Sequence, residues 1–115
     1  MKVKEIIEIL EAEVICGEDL SEKEVHTACG SDMMSDVLAY VKDQAVLLSG
    51  LVNNQVVRTA EMMDMKCIVF VRGKKPDESM IELANASDMV LLSTKKPMFT
   101  ACGLLYSHGL RGGNG

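Results

Sequence analysis

Aromatic side chains are nearly missing from this chain. Its 115 residues include no Trp, two Phe and two Tyr, and only two Pro and two His. Single-strand nucleic-acid binding relies on stacking rings and a basic face. This chain is poor in rings and carries a net charge of −5, so no nucleic-acid partner is expected. No apolar run approaches the ~20 residues of a membrane span. The start, "MKVKEIIEILEAE", is laced with glutamate and lacks the shape of a signal peptide. A cytoplasmic protein with no membrane partner is the expectation.

The four cysteines, Cys16, Cys29, Cys67 and Cys102, stand 13, 38 and 35 positions apart, with no CxxC and no Cys/His cluster. Zinc and iron–sulfur sites need closer spacing. In a reducing compartment these read as buried thiols, and no cofactor is implied. Neither GxGxxG nor GxxxxGK[ST] occurs, which removes the dinucleotide fingerprint and the P-loop.

What the chain does have is aliphatic residues and methionine: 48% of it is hydrophobic, including nine Met. Length and composition fit one globular domain over residues 1–115. Charge is uneven. Residues 1–43 hold 11 acidic and 4 basic side chains, whereas 44–115 hold 6 and 8.

The pattern alternates between two periods. "VKEIIEILEA" places Val3, Ile6, Ile7 and Leu10 on one helical face. "EVIC" is a short strand ending at Gly17, "EDLSEKE" a loop, and "VHTAC", Val25 to Cys29, a second strand. Ser31 or Asp32 caps a helix whose apolar face includes Met34, Val37, Leu38 and Val41. Strand "AVLLS" ends at Gly50, and Asn53 or Asn54 caps the helix of "NNQVVRTAEMMDM". Strand "CIVFV" ends at "RGKKP", and Pro76 opens a helix from Asp77 to Ala86. Strand "MVLLST" is followed by "KKP", and Pro97 opens a last helix to about Leu110. The tail "RGGNG" is expected to fray. Continuous apolar strands separated by helices predict an α/β fold: a mostly parallel sheet flanked by helices.

Ligands of such sheets bind outside the carboxyl ends of the strands. The residues there are Gly30 and Ser31; Ser49 and Gly50, with Asn53 nearby; Arg72, Gly73 and Lys74; and Thr94 and Lys95. On a parallel sheet all of them share one rim. Glycines admit a ligand to the backbone, helix starts offer free N–H groups, and cations favour an anion such as a nucleotide. A second reading is that Gly, Ser and Lys are simply what exposed turns are made of.

Catalytic signals are sparse. Cys29 at a helix start could have a depressed pKa, and His26 lies three residues before it. In an extended segment, however, residues i and i+3 point to opposite faces. His108 is expected to interact with the closing carbonyls of the last helix. Asp32 and Asp36 read as helix-start charges rather than metal ligands. The methionines read mostly as core, with some available for an adaptable contact surface. A domain this short is expected to leave a sheet edge or face partly open, and pairing with a second copy remedies that.

From Ser31 onward the chain resembles the DRTGG domain family and the related N-terminal domain of bacterial HPr kinase/phosphorylases. The segments that carry the likeness are "GSDMMSDVLAYV", "VLLSG", "CIVFVRGKKPDESMIELA" and "MVLLSTKKP", over roughly residues 25–96. The family places Asp-Arg after the glycine of the first turn, where this chain has Leu51-Val52. It places Thr-Gly-Gly in the second, where this chain has Val71-Arg72-Gly73. Gly50 and Gly73 therefore carry over as turn positions, and no polar role does. The resemblance implies a stand-alone regulatory module, often a homodimer and associated with a partner enzyme, without catalysis of its own. A protein–protein adaptor without a small ligand is the alternative.

Overall fold

The computed structural model describes residues 1–40 and 45–111. The expected helix position Val41 and the tail from Gly112 lie outside them. Five strands form one sheet in the order β1-β5-β4-β3-β2. They are β1 (Glu13–Cys16), β2 (Thr27–Gly30), β3 (Ala45–Ser49), β4 (Cys67–Phe70) and β5 (Val90–Ser93). β2 through β5 run parallel, and β1 is antiparallel on the outer side of β5.

The helices are α1 (Val3–Leu10), α2 (Met34–Tyr40), α3 (Asn54–Met62), α4 (Glu78–Ala86) and α5 (Met98–Ser107). Each parallel strand is followed by its neighbour in sequence. Right-handed crossovers taken in one direction therefore put α2, α3 and α4 on the same face. Met34, Val37, Val56, Ala60, Met80 and Ala84 pack there against Leu47, Ile68, Phe70 and Leu91. On the opposite face Val3, Ile6 and Leu10 of α1, with Ala101 and Leu105 of α5, cover Val46, Leu48, Val69 and Leu92. Successive strand residues thus serve different cores. This is why β3, β4 and β5 are buried throughout and read as unbroken apolar runs. Of the expected open edge or face, the edge is what remains: helices cover both faces, and β1 and β2 are the edges. Part of the β2 edge is itself bridged, since Ala28 N–H donates to Arg111 O at 2.8 Å.

Several boundaries move by a few residues. Val25 is buried and donates its N–H to Met1 O, and β2 begins only at Thr27. The acidic loop contains a 3-10 turn, Glu18–Leu20. Asn53 caps α3 through Val56 N–H, as expected. For α4 the cap is Asp77, accepting from Met80 N–H, so Pro76 precedes the helix rather than opening it. Pro97 is the N-cap residue of α5, and the helix ends at Ser107, short of Leu110. Met65, Met80 and Met89 are fully buried, while Met33 and Met62 are exposed.

Candidate functional site

Parallel pairing of β2 to β5 brings their carboxyl ends to one rim, as expected. The antiparallel β1 adds something local pattern does not show. Its first residue, Glu13, stands opposite Ser93, so the α1–β1 turn also reaches this rim.

At the β2–β3–β4 end the polar groups meet each other. Ser31, not Asp32, takes up the first free amide before α2: its hydroxyl accepts from Met33 N–H at 3.0 Å. Asp32 turns across to β3 instead. Its Oδ1 accepts from Gly50 N–H at 2.7 Å and from the Ser49 hydroxyl at 3.2 Å. Its Oδ2 lies 3.8 Å from Nη2 of Arg72. The Ser49 oxygen also accepts from Leu51 N–H at 3.1 Å. The Arg72 guanidinium lies over Gly50, where a Cβ would collide with it. The space left by Gly50 is thus filled by the chain's own arginine. Gly30 is similar: a Cβ there would meet Cys102 Sγ of α5 at 2.6 Å, so this glycine serves helix packing.

Arg72 and Gly73 form the centre of a tight turn. Both have positive φ, 59° and 71°, and Lys74 N–H donates back to Val71 O at 3.1 Å. This is the arrangement of the primed β-turns, which glycine occupies without strain and arginine does not. Main-chain bonds fasten the turn to the neighbouring one: Arg72 N–H to Lys96 O at 2.9 Å and Gly73 N–H to Thr94 O at 2.8 Å.

At the β4–β5–β1 end the groups surround a cleft. A cleft of about 370 Å³ is lined by Leu10, Glu11, Glu13, Gly73, Lys75, Ser93, Thr94, Lys95 and Lys96. Lys75 pairs with Glu13 at 2.9 Å and Lys96 with Glu11 at 3.2 Å. Among the described residues, no carboxylate lies within salt-bridge distance of Lys74 or Lys95. The Thr94 hydroxyl is buried and donates to Leu10 O at 2.8 Å, so it holds the cleft's floor. The Ser93 hydroxyl donates to Lys74 O at 2.7 Å. Of the expected site residues, Ser49, Gly50 and Arg72 gather around Asp32, and Gly73, Thr94 and Lys95 line the cleft. Asn53 is engaged in capping α3, and Gly30 faces α5. Sequence reading missed Glu11 and Glu13 and gave Asp32 only a helix-start role, because the placement of all three depends on non-local pairing.

Cys29 packs against the α2–α4 core, and His26 lines surface hollows with Glu24 and Val25. Burial, with Cys102 and Asp36 nearby, raises the Cys29 pKa, the reverse of the depressed value considered from its position. Burial alone pushes Cys67 up to about 12. His108 Nδ1 lies 2.8 Å from Leu104 O, the helix-end contact its position implies.

Comparison with known proteins supports the same architecture. A solved structure of similar fold is the crystal structure of the CBS and DRTGG domains of the regulatory region of Clostridium perfringens pyrophosphatase, complexed with the activator diadenosine tetraphosphate. The two share 17% identity at a TM-score of 0.71, over 90% of this chain and 45% of that one. The present chain therefore spans less than half of that crystallised chain's length, and the likeness is one of fold. No curated protein matches the chain. The model of the DRTGG domain matches residues 5–107, and the chain belongs to the DRTGG domain family.

Proposed function

We propose that residues 1–115 act as one non-enzymatic regulatory module that senses a small anionic ligand at the carboxyl-end rim of its sheet. The ligand class is a nucleotide or another phosphorylated metabolite. The single observation that carries this reading is the charge balance of the rim. The cleft is lined by Lys75, Lys95 and Lys96 against Glu11 and Glu13, Arg72 stands beside Asp32, and among the described residues no carboxylate lies within salt-bridge distance of Lys74. In a chain of net −5, a locally positive cleft about as large as a small ligand pocket attracts anions. The family is a regulatory one, and the structural neighbour comes from an enzyme's regulatory region with a nucleotide activator bound. That neighbour also contains CBS domains, so its ligand serves here as a probe to try first. The module would work in the cytoplasm, as a homodimer and beside a partner enzyme.

The test is a calorimetric titration with ATP, AMP and diadenosine tetraphosphate, repeated on Lys74→Ala/Lys95→Ala. Saturable binding that the double variant loses supports the reading. A chain that binds none of them at low salt argues for the adaptor.

One observation favours that second reading. α5 carries no charged residue over ten positions, and its Phe99 is 89% exposed with Tyr106 60% exposed. Isolated exposed apolar residues are common, but an uncharged helix displaying two rings is the kind of surface that protein contacts use. Native mass spectrometry of Phe99→Ser separates the readings: an adaptor loses its assembly, whereas a sensor keeps its ligand.

A further inference from the structure

Three donors at the ends of β3 and β4 converge on one carboxylate that belongs to the chain itself. Gly50 N–H and the Ser49 hydroxyl donate to Asp32 Oδ1, and the Arg72 guanidinium faces Oδ2. A backbone N–H, a hydroxyl and a guanidinium form a receptor for negative charge that does not depend on what carries the charge. A phosphoryl oxygen presents the same lone pairs as a carboxylate. Arg72 and Asp32 are 51% and 49% exposed, so an anion from solvent can reach them. Their 3.8 Å separation is longer than a charge-assisted hydrogen bond, so the guanidinium is not fully engaged.

Resting on the rim reading above, we propose that Asp32 is an internal stand-in for the ligand's anionic group. A phosphoryl or carboxylate group that binds Ser49, Gly50 and Arg72 displaces it. The exchange has consequences on two sides. Asp32 lies two residues before α2, so its release frees the entry to that helix. Arg72 and Gly73 are bonded through the main chain to Lys96 and Thr94 of the cleft turn. A ligand spanning cleft and receptor is thereby coupled to α2, and the order of α2 becomes the module's output.

Inorganic pyrophosphate is the probe, titrated into native protein, Asp32→Asn and Arg72→Gln at low salt. Removing the competing charge should tighten binding about tenfold in Asp32→Asn, and Arg72→Gln should weaken it by a similar factor. Hydrogen exchange supplies an arm that needs no variant. Saturating the native protein with pyrophosphate should speed exchange of the amides of residues 33–40. If native protein binds and Asp32→Asn binds no tighter, or if binding leaves those amides unchanged, the stand-in is overturned and the rim reading survives. If neither folded protein binds, both fall.

Discussion

At the β2–β3–β4 end of the rim the polar groups turn toward one another. At the β4–β5–β1 end they line an open cleft in which Lys75 and Lys96 are paired and Lys95, among the described residues, is not. The two ends share ingredients: a strand-end hydroxyl, a glycine turn, cations and a carboxylate. Ser49 and Thr94 make the contrast concrete. Both are buried at the ends of nearby strands. The Ser49 hydroxyl reaches a carboxylate that is half exposed. The Thr94 hydroxyl reaches the Leu10 carbonyl, which has no water to turn to. One hydroxyl bonds a half-exposed side chain and the other a buried main-chain carbonyl, although the sequence presents both as polar ends of apolar runs.

The largest effect follows from that difference. Thr94→Val preserves shape but leaves Leu10 O without its donor and Lys96 N–H without its acceptor. An unsatisfied buried group costs roughly 1–3 kcal/mol, so the denaturant midpoint should drop accordingly. If Thr94→Val is as stable as the native protein, the hydroxyl is not holding α1 to β5 and the comparison breaks.

Next comes Gly73→Val. Nothing lies within 4 Å of the added Cβ, so no clash contributes, and the cost is backbone strain at φ 71°. A β-branched residue in that region loses about 1–2 kcal/mol. Gly73→Asn, which tolerates that region, should recover most of it. Equal losses from both would point to some cause other than strain.

Ser49→Ala should be milder, about 1 kcal/mol, because Asp32 keeps its bond to Gly50 N–H and solvent reaches the carboxylate. Measured by thermal unfolding, a loss as large as that of Thr94→Val would show the two hydroxyls to be equivalent.

Much of the fold was legible because β3, β4 and β5 each feed two cores. A strand buried on both faces reads as a continuous apolar run, as "AVLL", "CIVFV" and "MVLL" do before the buried hydroxyls of Ser49, Ser93 and Thr94. Helix starts were legible where a cap is local, as at Asn53. The direction of β1 was not, because four residues carry no record of the strand they join. Asp32 was misread for a related reason. Standing before a helix, it looks like a cap, and only the pairing of β2 with β3 brings Gly50 N–H within its reach. Likewise the positive φ of Arg72 is imposed by bonds to a turn more than twenty residues away.

The smallest effect on stability belongs to the lysines that the proposed ligand would meet unpaired. Lys74 and Lys95 are exposed, and no carboxylate is within salt-bridge distance of either among the described residues. Surface substitutions of this kind change stability by no more than about 0.5 kcal/mol. Lys95→Ala should therefore leave the unfolding midpoint where it was. Lys75 and Lys96 are already paired, so a ligand anion gains less from them than from their unpaired neighbours. Affinity for ATP at low salt should thus fall more in Lys95→Ala than in Lys75→Ala. Raising the salt should narrow the gap, since exposed charges are screened beyond about 8 Å at physiological ionic strength. Equal losses from the two variants would mean that total charge, rather than an unpaired lysine, attracts the anion to this cleft.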